Sequence, residues 1–219
     1  RQVDGLGGAD LLLSKVAIVQ PSTRPNTDIK CRFGRIPHGR KVVNYGANCG
    51  NLSAAVALYA WQEGISSSGE PLRLFNPDSG TAMEARIHPE PVAHPEMSGM
   101  PASGTPIELT FLDPSGTATG RLLPTGNPVD FLEMPDGRAI PASIVDSGAL
   151  YIFIRAEDVG LPAAATSTDL QRYSTIMESL EYLRGQAAVL VGIAETPEDA
   201  KLVSASVPKL AFVSPPSNY

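Results

Sequence analysis

The chain has 219 residues, 42% of them apolar, and a formal net charge of −6: long enough for one large or two modest domains with real cores, and too acidic overall to favour nucleic acid or an anionic membrane surface. No apolar run approaches a membrane span, no signal peptide is visible, and the start at Arg1 without a methionine leads us to expect a missing beginning. Two cysteines, Cys31 and Cys49, are too few for a disulfide framework and imply a reduced, cytoplasmic setting, while His38, His88 and His94 lack metal-ligand spacing, so no metal is expected.

In chain order, a glycine-rich run at 4–10 (DGLGGAD) precedes Ser14 and Lys15, which open a short apolar strand at 15–19 (KVAIV). A second strand is predicted at 29–33, where Cys31 sits between charged residues on an expected edge strand and reads as a spectator. The stretch 44–55 (NYGANCGNLSAA) then places Cys49 where a helix begins. Asn48 is a good N-cap residue. Leu52, Val56, Tyr59 and Ala60 fall on one helical face, and Gly64 supplies a stop. Strands follow at 72–75, at 83–87 and at 107–111, the last two alternating. A Pro-Ser-Gly turn after Asp113 is expected to return the chain as a hairpin partner at 119–123. The segment 124–128 (PTGNP) reads as a junction.

Beyond it the pattern restarts. Strands are predicted near 129–133, at 140–145 and at 151–155, with a Pro-Asp-Gly turn at 135–137. Asp146, Ser147 and Gly148 read as a structural loop, and Thr125 to Asn127 as a turn. The longest helix, capped by Ser167 or Thr168, carries Leu170, Tyr173, Met177, Leu180 and Leu183 up to Gly185. A further helical segment at 187–193, a short one at 198–201 and a closing strand at 209–213 complete the chain. Each half thus offers several strands and one main helix, an α+β arrangement of two similar domains, 1–126 and 127–219.

Two features carry chemistry. A helix start offers free N–H groups and a positive dipole end, which favour a thiolate at Cys49 and a carboxylate beside it; the same cysteine reads equally as a buried structural thiol. A lysine opening a buried strand becomes a usable base if burial disfavours its charge; standing alone, Lys15 reads rather as a surface lysine lying off a strand end. The residues alone leave both questions open.

The run RQVDGLGG with SKVAIV, then NYGANCGNLSAAVALYA, LTFLDPSGTATGRLLPTGNP, the VDSG and IFIRAEDVGL segments and SVPKLAFV resembles the methylaconitate isomerase, or PrpF-like, family over nearly the whole chain. The resemblance implies a diaminopimelate-epimerase-like α+β fold: two pseudo-symmetric domains, each with a sheet wrapped around a central helix, and an active site between them. It implies a catalytic lysine in the S-K-V-A motif, here Lys15, and a catalytic cysteine in the N-C-G-N motif, here Cys49. The family's early glycine-threonine-serine-lysine loop and its long C-terminal part do not appear, so the first domain is expected to be incomplete at its start and the second at its end. Where many relatives read Asp-Ala-Gly-Asn-Pro, this chain has Asp146-Ser-Gly-Ala-Leu.

The reading is then a cofactor-independent isomerase or tautomerase of a small unsaturated di- or tricarboxylate of the aconitate, methylaconitate or oxalomesaconate type. Lys15 and Cys49 form the acid–base pair. Substrate is held by the N–H groups of Gly50 and Asn51, the side chains of Asn48 and Asn51, and Ser14, with Gly7 and Gly8 allowing close backbone approach. No nucleic-acid or membrane partner is expected, and relatives imply a homodimer. Two alternatives stand beside this: a catalytically silent carboxylate-binding relative, and an amino-acid racemase or epimerase, which needs a second thiol facing Cys49.

Overall fold

The computed structural model describes residues 14–36, 42–45, 48–67, 69–88, 105–163, 165, 174–204 and 207–216. The chain divides into two compact units, Arg1–Asp113 and Pro114–Tyr219. Both combine a mixed sheet with one main helix, so the fold class is α+β.

In the first unit, β1 (Lys15–Pro21), β2 (Ile29–Arg35), β3 (Leu72–Asn76), β4 (Thr81–Ile87) and β5 (Ile107–Leu112) form one sheet in the order β1-β2-β3-β4-β5. All neighbours are antiparallel except β2 and β3, which the helix α1 (Gly50–Gln62) joins as a parallel crossover. The core is built by alternation, one face of each strand supplying Ile29, Cys31, Phe33, Leu72, Leu74, Met83, Ala85 and Ile87 against Val56, Ala57 and Ala60 of α1. β1 lies at the sheet edge and its residues are exposed or half-buried, so the expected compact buried strand is not what forms. β2 is an inner strand, and Cys31 is buried within the core rather than on an edge.

The buried face of α1 is Ser53, Val56, Ala57 and Ala60, at i, i+3, i+4 and i+7. Tyr59, expected on that face, is 48% exposed. Small residues let the helix approach the sheet closely, which a tyrosine in the same row would prevent. The helix ends as anticipated: Gly64 takes a φ of 70° and its N–H bonds to the Trp61 carbonyl.

The second unit orders β6 (Asp130–Glu133), β7 (Ala139–Asp146), β8 (Leu150–Arg155) and β9 (Lys209–Val213) as β6-β7-β8-β9, with β8 and β9 parallel. A 3-10 turn (Ala156–Val159), the helix α2 (Ser174–Leu190) and the short α3 (Ala200–Val203) lie between β8 and β9. Ile144, Ile152 and Leu183 are fully buried at its centre. α2 runs through Gly185 instead of stopping there, and takes in part of the separate segment expected at 187–193. The glycine is needed for proximity: a Cβ at this position would stand 2.6 Å from the Pro197 carbonyl oxygen. The expected caps Ser167 and Thr168 lie outside the described residues.

The residues 114–126, expected in the first domain, belong to the second unit, and 119–123 form turns rather than a hairpin strand. The reason is Asp146, wholly buried at the end of β7. Its Oδ2 accepts the N–H groups of Ala118 and Thr119, both at 2.8 Å, and the Thr119 hydroxyl at 2.9 Å, while its own N–H and carbonyl bond to Leu122 and Gly116. Gly116 is obligatory: at φ 71° a Cβ would lie 2.4 Å from the Arg121 nitrogen. Among the described residues no helix is long and apolar enough to cross a membrane.

Candidate active site

The start of α1 is built from both sides. Cys49 is the N-cap residue, with extended backbone (φ −139°, ψ 103°), and its side chain makes no capping bond. The first intrahelical bond runs from Ser53 N–H to the Cys49 carbonyl, at 2.9 Å, so the N–H groups of Gly50, Asn51 and Leu52 precede the helical ladder. Nothing lies within 4 Å of where a Gly50 Cβ would stand, and Asn51 is exposed.

Asn48, expected as the cap, instead anchors the helix start to the turn between β3 and β4. Its Nδ2 donates to Thr81 Oγ1 at 2.8 Å, and its Oδ1 accepts from Asn76 Nδ2 at 2.8 Å and from Ser79 Oγ at 2.7 Å. Asn76 is wholly buried and its Oδ1 accepts the Asp78 N–H. Asp78 in turn pairs with Arg32 through two bonds of 2.8 and 2.7 Å, and those bonds hold its carboxyl below the usual carboxylate range. On the other side of Cys49, the Ser53 hydroxyl bonds to the Cys49 carbonyl at 3.0 Å and lies 3.4 Å from Met83 Sδ. The cysteine backbone is therefore clamped by residues before and after it.

Lys15 meets this clamped cysteine: its Nζ lies 3.7 Å from Cys49 Sγ, across 34 positions of sequence. The Lys15 side chain is exposed and Cys49 half-buried, as the surface-lysine reading has it: a residue at the first position of an edge strand remains open to solvent. Ser14 is buried, with its carbonyl accepting the Ile36 N–H. Gly7 and Gly8 lie outside the described residues. Cys31 packs in the core beneath α1, where burial pushes its thiol up to about 11, fitting an inert spectator and not a second reactive thiol. Among the described residues no cluster suited to a metal occurs. His88 pairs loosely with Glu108 at 3.4 Å on the surface, and His38 and His94 lie outside the described residues.

A groove of about 390 Å³ runs between β1 and α1, lined by Ala17, Val19, Ala55, Val56 and Tyr59. Among the described residues its lining includes neither Lys15 nor Cys49. The residues that hold Asn48 were not singled out from sequence. Their signal was the Asn-Pro-Asp-Ser-Gly turn at 76–80, polar residues whose reach to Asn48 only the fold reveals.

Comparison with known proteins gives a consistent family. The profile of the family described as "PrpF protein" matches residues 1–219. A 3-methylitaconate isomerase of Eubacterium barkeri is 36% identical over 227 residues, covering 100% of this chain and 60% of the relative. A 4-oxalomesaconate tautomerase of Pseudomonas putida is 30% identical, again covering 100% of this chain and 60% of its own length. The crystal structure of a methylitaconate-delta-isomerase superposes with a TM-score of 0.78 at 34% identity, covering 99% of this chain and 58% of that one. The chain thus spans about three-fifths of the length of the relatives it matches.

Proposed function

The chain belongs to the PrpF family, and from that premise we propose that it is an isomerase of a small unsaturated di- or tricarboxylate, working by proton abstraction and return. Relatives named for methylitaconate and oxalomesaconate support the substrate class. The observation that carries the reading is the 3.7 Å approach of Lys15 Nζ to Cys49 Sγ at a helix start.

Lys15 and Cys49 are the acid–base pair. One of them removes a proton from a carbon adjacent or allylic to a carboxylate. The electron pair left behind delocalises into a dienolate, placing negative charge on carboxylate oxygen. The other member returns a proton to the far end of the delocalised system, shifting the double bond. For a cis–trans change the proton returns to the same carbon after rotation about the weakened bond. A protonated Lys15 beside the sulfur stabilises negative charge there and on the substrate. The N–H groups of Gly50 and Asn51 lie at the positive end of α1 and donate to the carboxylate on which charge develops. Asn48, its side chain engaged by the β3–β4 turn, acts by holding Cys49 in place. The reaction as written requires no cofactor. A reduced cytoplasmic setting suits a working thiol, and we take the functional protein to be a homodimer.

The test is NMR in deuterated water with aconitate, methylaconitate, methylitaconate and oxalomesaconate. The expected result is isomerisation with deuterium wash-in for at least one of them, abolished by Lys15→Ala and by Cys49→Ser. Normal turnover by both variants would refute the assignment of the pair.

A further inference from the structure

We propose that Arg35 is a substrate-binding residue, gripping a carboxylate remote from the reacting carbon and so selecting polycarboxylates over monocarboxylates; this rests on the Lys15–Cys49 reading above. In the antiparallel register of β1 and β2, Arg35 stands directly opposite Lys15. The Ile36 N–H turns toward β1, donating to the Ser14 carbonyl at 2.8 Å, whereas the Arg35 N–H turns away, donating to the Asn44 carbonyl at 2.8 Å. Lys15 and Arg35 are therefore a non-hydrogen-bonded pair, the kind whose side chains stand closer together, and directly opposite residues share a face.

That face is the one bearing the candidate site. Lys15 reaches Cys49 from it. The neighbouring Gly34 marks the opposite face, where an added Cβ would meet Val43, Val16 and Tyr45 at 2.9–3.2 Å. The Arg35 backbone is held on its second side as well, its carbonyl accepting the Asn44 N–H at 2.8 Å, so the side chain leaves from a fixed point although it ends a strand.

The electrostatics ask for an anion. Like charges directly opposite on a sheet are unfavourable. Elsewhere on this sheet Arg32 pairs with Asp78 and Arg73 with Glu84, while Arg86 donates to the Gly69 carbonyl. Among the described residues neither Lys15 nor Arg35 forms an ion pair, and both are exposed. In a chain of net charge −6, the described residues thus present two cations in register without an ion pair, one of them 3.7 Å from the half-buried thiol. The planar guanidinium fork matches a carboxylate through two parallel bonds. Lys15 has proton-transfer work to do, which leaves Arg35 as the group that binds without reacting.

The experiment uses the full chain and inert, saturated probes: tricarballylate, glutarate and butyrate as tri-, di- and monocarboxylate. Each is titrated for protection of Cys49 against iodoacetamide, read by mass spectrometry on the Cys49 peptide, in the wild type, Arg35→Gln and Arg35→Lys. Tricarballylate is expected to protect the wild type at concentrations at least tenfold below those of butyrate. Arg35→Gln raises the half-protecting concentration of tricarballylate at least tenfold with little change for butyrate, and Arg35→Lys restores part of the loss. With a substrate found by NMR, Arg35→Gln lowers kcat/KM at least tenfold, mostly through KM. Absence of protection by tricarballylate in the wild type, or equal protection in Arg35→Gln, overturns the proposal. Arg35-dependent protection in a protein that isomerises nothing would preserve it while refuting the isomerase reading; active turnover with unchanged KM in Arg35→Gln would do the reverse.

Discussion

The two units of this protein repeat one motif and use it differently. In each, an antiparallel hairpin leads through the main helix to a strand parallel with the hairpin's second member: β1-β2-α1-β3 in the first unit, β7-β8-α2-β9 in the second. In the second unit the buried Arg184 and the Oδ2 of the buried Asp146 are engaged in holding structure, while Asp146 Oδ1 has no hydrogen-bond partner among the described residues. Arg184 on α2 forks onto Glu181 and donates to the Ser204 and Val207 carbonyls, and Asp146 gathers three donors from the segment before β6. In the first unit, Lys15, Arg35 and Asn51 stay exposed around a half-buried thiol at the helix start. Both cysteines of the chain lie in that unit. The same scaffold thus carries exposed polar side chains around its helix start in the first unit and ties its segments together through interior hydrogen bonds in the second.

The sharpest way to break this contrast is to remove a lysine from each unit in turn. Lys15→Ala and Cys49→Ser should each lower isomerisation by roughly 10²–10⁴-fold. Lys209→Ala, which removes a half-buried cation 5.3 Å from the Tyr151 ring centre in the second unit, should leave the rate within about twofold, since such a cation–π contact is worth only about 1–2 kcal/mol to the fold. Initial rates by NMR decide it, and a large loss in Lys209→Ala would put chemistry in both units.

Next in size is Asp146→Ala. It removes the buried acceptor of three hydrogen bonds from Ala118 and Thr119, and should destabilise the second unit by about 2–4 kcal/mol in urea titration. An unchanged midpoint would show that 114–126 is held by something else.

Asn76→Ala should cost about 1–2 kcal/mol by removing its bond to Asn48. It should also lower kcat roughly tenfold while KM stays nearly constant, because Cys49 loses its anchor. A loss of stability without a loss of kcat would make the cluster merely structural.

The smallest effect belongs to Cys31. Its folded-state thiol is raised from 9.0 to about 11 by burial, so the folded form retains a proton that the unfolded form releases first. Any stability this contributes is intact below pH 9 and is lost as pH rises toward about 11. Cys31→Val should flatten that alkaline decline in a melting series from pH 8 to about 11, and an identical slope would show the thiol is not its source.

Much of the fold was legible because it depends on short periods. Alternation found β4 and β5, with Met83, Ala85 and Ile87 buried as read, and the glycine stop at Gly64 ended α1. The misreadings occurred where a distant partner overrode a local signal. Gly185 looked like a stop, but it lets α2 pass the Pro197 backbone. The sequence 113–123 looked like a hairpin, but Asp146 draws it to the second unit. Asn48 looked like a cap, but the β3–β4 turn takes its side chain. Arg35 left a signal that was passed over: in IKCRFGR, the period of two that buries Ile29, Cys31 and Phe33 puts Arg35 on the same face.

By itself the sequence determined the helix start at the cysteine, the strand at whose head Lys15 stands, and the family whose motifs contain both. Periodicity and motif act within a few residues, so one strand of letters carries them. Only the tertiary structure decided that an amine and a thiol 34 positions apart lie 3.7 Å from each other, that a second cation stands across from the first, and that Asn48 faces inward. Those relations are set by strand register and by hydrogen bonds between distant segments, and they exist only once the sheet has formed.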